Sequence, residues 1–133
     1  MNSANQTIQQ ILQFCQFVIA SLWIYQGLIP KLVFQVADEQ YVWQQLHIPS
    51  IYILYLVSLS GIAEMIFGSL FLFVTHKYLH WLSIMSLVGL FIFVLFIYPN
   101  QLYQAFNPVV MNIAMASLSI IALWCIDSIQ QTK

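Results

Sequence analysis

The chain has 133 residues, a net charge of −1 and 62% hydrophobic residues, while only 5% of its residues are charged. A soluble domain carries about 25% charged residues, so no soluble fold of this size could cover so much apolar surface. The low charge also excludes a basic surface for nucleic acid. We therefore expect an integral membrane protein whose solvent is the lipid bilayer.

Four apolar segments are long enough to cross a bilayer as helices, which takes about 20 residues each. We place these spans at residues 9–34, 51–74, 81–98 and 108–126. Because short connections join them, the pattern predicts an all-α, up-down four-helix membrane bundle with short interfacial linkers, forming a single domain over residues 1–133. No small-residue cleavage site follows the first apolar run, so we expect the first span to be retained.

The first span contains a stripe of residues at three- and four-residue intervals, which predicts its packed face. The stripe consists of Gln16, Ala20, Trp23, Gly27, Pro30 and Phe34. Pro30 removes one backbone hydrogen bond and is expected to kink or end the helix. Lys31 then lies near the membrane surface, where its stem is expected to snorkel toward water.

Two linkers have the mixed aromatic and polar composition of interfacial segments. In residues 36–49, Asp38 and Glu39 are suited to the start of a short helix. In residues 99–107, Asn107 is predicted to cap a helix that begins at Pro108.

In the third and fourth spans, fewer residues indicate which helical face is packed. Residues 75–80 read as a tight polar turn before the third span. Small or polar side chains predict one packing face on each span: Ser83, Ser86 and Gly89 on the third, and Asn112, Ala116 and Ser119 on the fourth.

The orientation rests on few charges. In a four-span topology, Lys77 and Lys133 lie on the same side as the N-terminus, whereas Asp38 and Glu39 lie on the other. The positive-inside rule then places both termini in the cytoplasm, although Lys31 opposes this assignment.

Glu64 is the strongest candidate for a functional residue. It lies about 14 residues, or ~20 Å, into the second span. A carboxylate at that depth costs roughly 2.5–3.5 kcal/mol on insertion scales, so we expect it to face protein. Gly61 and Gly68 share its helical face, and small residues let a neighbouring helix approach closely.

Tyr25, Gln26 and Asn112 are the predicted polar neighbours of Glu64. Lys31 is a possible counter-ion, but its position near the end of the first span argues against direct contact. Two interpretations stay open: Glu64 exchanges protons or binds a ligand, or it only locks helices together through hydrogen bonds.

Other reactive side chains give weak signals. Cys15 and Cys125 lie at similar depth, but without a C-x-x-C motif we expect free thiols facing a reducing compartment. His47, His76 and His80 lie in linkers and predict no metal site. No catalytic constellation of the serine-hydrolase or paired-carboxylate kind is present.

Three motifs together resemble the DoxX-like family of small membrane proteins. They are SLWIYQGLIPKLVF at residues 21–34, GIAE through Gly68 at residues 61–68, and AFNP through Asn112 at residues 105–112. The match follows the order of that family's spans, so the resemblance implies the same four-helix fold.

The resemblance implies a link to membrane redox chemistry, because the wider group includes a thiosulfate:quinone oxidoreductase. We therefore expect an accessory subunit of a redox or quinone-linked system in a bacterial inner membrane, with a quinone or other lipophilic ligand and an oxidoreductase partner. A structural or assembly factor for another membrane protein is the alternative. An oligomeric small-molecule carrier or pore is a third.

Overall fold

The computed structural model describes residues 3–103 and 107–131, within which all regular secondary structure is helical. The elements are helix α1 (Ser3–Gly27), a π-helical turn (Leu28–Val33), α2 (Ala37–Gln45), α3 (Ser50–Phe73), α4 (Lys77–Ile97), a 3-10 turn (Pro99–Tyr103) and α5 (Pro108–Gln131). Ser3–Val33, α3, α4 and α5 are each long and apolar enough to cross a membrane. This confirms the predicted all-α class with four membrane helices.

The described chain packs as two compact units. The central unit is Ala20–Leu70, and the flanking unit comprises the described residues on either side of it. The central unit therefore contains the second half of α1, the π-helical turn, α2 and most of α3. The flanking unit contains the first half of α1 together with α4 and α5.

Pro30 widens the first span instead of ending it. Because proline has no N–H to donate, the backbone around it cannot keep the ordinary i→i+4 pattern. The N–H of Phe34 instead donates to the carbonyl of Ile29 at 3.0 Å, five residues back, and the N–H of Val36 donates to the carbonyl of Pro30 at 2.9 Å. Such wide turns satisfy the backbone while shifting the side chains beyond them.

The predicted packed stripe of α1 is buried over most of its length. Gln16, Ala20 and Trp23 are each less than 7% exposed, and Gly27 is buried as well. The stripe fails at its end, where Phe34 is 69% exposed. The wide turn accounts for this failure, because residues beyond it no longer follow the spacing of an α-helix.

The turn before α4 is shorter than predicted. Only residues 74–76 are non-helical, because the His76 ring accepts a hydrogen bond from the backbone N–H of Tyr78 and caps a helix that begins at Lys77. The prediction that His80 lies in a polar linker is therefore wrong, since His80 is fully buried one turn into α4.

The packing face predicted for the third span holds at Ser83, which is fully buried, and in part at Ser86, which is half-buried. Gly89 is exposed, and a Cβ placed on it would meet nothing within 4 Å. The buried positions of α4 lie nearer its start, and all but Ser83 are larger residues: Leu79, His80, Ser83 and Leu87.

Helix α5 begins where the sequence predicted. The Asn107 side-chain oxygen accepts a hydrogen bond from the Val109 N–H at 2.7 Å, and its amide donates to the Leu102 carbonyl at 2.8 Å. Ala105 and Phe106 of the predicted start motif lie outside the described residues, as does Lys133. The helix continues to Gln131 instead of ending at residue 126, with Asp127 paired to Lys77 of α4.

The flanking unit has an apolar core at this end of α5. Cys15 and Leu12 of α1 pack in one buried cluster with Ala122, Cys125 and Ile126. Both cysteine side chains are therefore enclosed by apolar neighbours.

Candidate functional site

A buried ion pair joins the first span to the third helix of the central unit. The ammonium of Lys31 lies 2.5 Å from Oε1 of Glu64, and the two side chains are only 11% and 15% exposed. Lys31 comes from the π-helical turn, and Glu64 comes from the middle of α3. Two opposite charges thus meet between two helical segments that are each long and apolar enough to cross a membrane.

Gly27 of α1 lies against Gly61 of α3, and this contact lets the two helices approach closely. A Cβ atom on Gly61 would lie 2.6 Å from the Gly27 carbonyl oxygen and 2.9 Å from the Cβ of Lys31. Real Cβ atoms do not approach so closely, so any larger residue would push the helices apart. The backbone of Lys31 therefore lies directly beside Gly61.

The direction of the side chains completes the contact. Glu64 follows Gly61 by three residues, which is roughly 4.5 Å at the helical rise. Side chains on helices lean toward the N-terminus of their own helix. Because Gly68 packs on Ala20 and Trp23 while Gly61 packs on Gly27, the two helices run antiparallel. Lys31 consequently leans toward the membrane interior and Glu64 leans toward the membrane surface.

This geometry corrects the expectation for Lys31. Backbone positions alone put Lys31 nearer the membrane surface than Glu64, and a snorkelling lysine stem would turn toward water. The lysine stem instead passes over Gly61, where no side chain blocks it, and reaches the Glu64 carboxylate about one turn further along α3. Lys31 is 9% exposed and is a buried counter-ion.

Glu39 is a third member of the site, and the sequence assigned it only to the start of a short helix. Its Oε2 lies 3.6 Å from the Lys31 ammonium, with the side chain 32% exposed. Glu39 lies in the first turn of α2, which has no buried residue. The sequence did contain a signal for this contact: a lysine directly after a proline, with an acid eight residues later at the start of a predicted short helix.

Two of the predicted neighbours, Tyr25 and Gln26, form no hydrogen bond with Glu64 within the described chain. Tyr25 is 58% exposed, because it lies on the side of α1 opposite the face of Trp23 and Gly27. Gln26 is half-buried and, within the described chain, forms no hydrogen bond with Glu64. Asn112 is buried within the flanking unit.

The site retains hydrogen-bonding capacity. Oε2 of Glu64 is buried and has no hydrogen-bond partner among the residues that the structure describes. An ammonium has three donors, and one of them bonds Oε1 of Glu64, whereas Glu39 at 3.6 Å is an ion-pair partner only. A small polar group could therefore accept from Lys31 and donate to Glu64 at once. Within residues 3–103 and 107–131, no three His, Cys, Asp or Glu side chains are arranged to hold a metal.

Four membrane helices and a buried lysine–carboxylate pair define the class as a small all-α integral membrane protein. Residues 20–120 match the family model described as the DoxX-like family, and the chain belongs to that family. The matched range contains Lys31, Glu39 and Glu64. No curated protein and no solved structure gives a significant match.

Proposed function

We propose that the protein is an accessory subunit of a quinone-linked redox system in a bacterial inner membrane. In this proposal, the headgroup of a quinone binds at Lys31 and Glu64. Both termini face the cytoplasm, and an oxidoreductase partner carries out the electron transfer. The observation that carries the proposal is the buried ammonium of Lys31 beside a carboxylate with one oxygen that has no partner within the described chain.

The chemistry of the two side chains suits a quinone headgroup. A quinone carbonyl accepts hydrogen bonds and a quinol hydroxyl also donates one. Lys31 supplies a donor, and Oε2 of Glu64 supplies an acceptor. Ionisable residues within membrane helices also commonly mark functional sites, because inserting a charge into the bilayer costs free energy.

Binding of a soluble quinone tests the proposal. Decylubiquinone is added to protein purified in mild detergent, and quenching of tryptophan fluorescence reports occupancy. We expect saturable binding to the wild type and about tenfold weaker binding to Glu64→Gln, equivalent to roughly 1.4 kcal/mol. Glutamine keeps the shape and hydrogen bonds of the side chain but cannot carry its charge.

Asp127→Asn is the matched control, because it makes the same chemical change in the exposed ion pair with Lys77. It should bind decylubiquinone like the wild type. Absence of binding to the wild type, or equal binding to Glu64→Gln, overturns the proposal. Mass spectrometry of the natively purified protein adds a second readout, a co-purified quinone.

A structural role is the second candidate, and the tight Gly27–Gly61 crossing favours it. In that case, the ion pair fixes the two helices, and the protein acts as an assembly factor for another membrane protein. This function predicts a co-purified protein partner, no bound quinone, and full activity of a well-folded Glu64→Gln variant.

A further inference from the structure

The flanking unit contains a second set of buried polar side chains that the Lys31–Glu64 site does not use. His80 and Ser83 of α4 and Ser119 of α5 are each 0% exposed. The two ring nitrogens of His80 and the hydroxyl of Ser119 have no hydrogen-bond partner within the described chain. Buried polar groups in proteins are satisfied in the great majority of cases, so these atoms indicate a binding partner.

The three side chains lie in one part of the α4–α5 pair. These helices pack against each other, and the Lys77–Asp127 ion pair fixes their antiparallel register. By that register, Ser119 lies within roughly 3 Å of the level of Ser83, at ~1.5 Å per residue. His80 lies one turn closer to the Lys77 end, where the Phe71 ring packs edge-on at a centroid distance of 5.2 Å.

We propose that His80, Ser83 and Ser119 form an internal hydration site through which the imidazole exchanges protons with bound water. Water suits the site because it both donates and accepts, and buried waters typically make about three hydrogen bonds to such groups. An apolar ligand would leave the nitrogen atoms unsatisfied. The site is independent of the proposed quinone function.

The exchange step conserves charge. In neutral imidazole, one ring nitrogen carries a proton and the other accepts a hydrogen bond. A protonated water passes its extra proton to the unprotonated nitrogen and is left as neutral water, while the opposite nitrogen releases its proton to a second water, which carries it onward. The ring is left neutral in its other tautomer, so a proton has moved across the width of the ring.

Water-edited solid-state NMR of isotope-labelled protein in lipid bilayers tests the site. Magnetisation passing from water should reach the His80 ring within about twofold of the rate for the exposed His76 ring, because bound water contacts both. Leu87 is the buried apolar control on the same face of α4, at 2% exposure, and it should respond slowly. A His80 response as slow as that of Leu87 overturns the proposal.

Two serine variants on α5 sharpen the test. Ser119→Ala removes a partner of the water and should slow transfer to His80 by about twofold or more. Ser117→Ala is the matched control, since Ser117 is exposed and its hydroxyl donates to the Ile113 carbonyl of its own helix. Equal transfer to His80 in the two variants excludes Ser119 from the site and contradicts the proposal.

Discussion

The Lys31 ammonium reaches the Glu64 carboxylate at 2.5 Å although its backbone lies beside Gly61, about one helical turn away. Both side chains cover that turn by leaning toward each other from antiparallel helices. A residue near the end of one span is thus paired with a residue from the middle of another. Each of the two buried charges is stabilised by the other, and either one alone would be costly to bury.

Removing one member of this pair should damage the protein more than removing both. Lys31→Met leaves Glu64 without its counter-ion, and breaking a buried pair typically costs about 3–5 kcal/mol. The double variant Lys31→Met/Glu64→Met should recover much of that loss, because no buried charge remains. Thermal unfolding midpoints in detergent check this, and additive losses in the double variant would contradict the pairing.

Neutralising Glu39 should have a smaller effect. Its side chain is 32% exposed and 3.6 Å from the ammonium, so Glu39→Gln should cost up to about 1 kcal/mol, and less at high salt. The neighbouring Asp38 is exposed and serves as control. Equal unfolding midpoints for Glu39→Gln and Asp38→Asn at low salt would remove Glu39 from the site.

Two glycines should respond in opposite ways to the same substitution. Gly61→Ala places a methyl group against the Gly27 carbonyl and should destabilise the fold by about 1–3 kcal/mol. Gly89→Ala meets nothing within 4 Å and should stabilise α4 by up to about 1 kcal/mol. Unfolding midpoints of the two variants, measured side by side, check both signs.

Both cysteines should be free thiols in the untreated protein. They lie in one apolar cluster, at the end of the molecule that we assign to the reducing cytoplasm. Alkylation under denaturing conditions and then intact-mass measurement should show two added labels per chain. A mass with no added label would reveal a disulfide and revive a redox role for the pair.

Reporter fusions check the orientation. An alkaline phosphatase fusion after Glu39 should be active, because that enzyme folds outside the cytoplasm, and a fusion after Gln131 should be inactive. We expect this result because Lys77 and Lys133 lie on the same side as the termini, and lysines favour the cytoplasmic side. An active fusion after Gln131 would reverse the topology.

The sequence was sufficient for the four spans, because uninterrupted apolar length is a property of each segment alone. It also predicted the capping of α5 by Asn107, a contact between near neighbours. It could not give the partner of Glu64, since that depends on the direction of two long side chains across a helix crossing. His80 escaped prediction because three polar residues before it resembled a turn, whereas the chain needs only residues 74–76 to reverse.

The π-helical turn at Leu28–Val33 has a consequence for how this family member could diverge. A wide turn holds one residue more than an α-helical turn, so the first span can lose a residue there and keep a continuous helix. In regular α-helix, by contrast, each residue gained or lost rotates everything beyond it by roughly 100°, given 3.6 residues per turn. An insertion or deletion that the wide turn absorbs leaves the first span aimed as before, whereas one on the Gly27 side of the turn would swing the Lys31 ammonium around the helix axis without any change in the amino acids that carry charge.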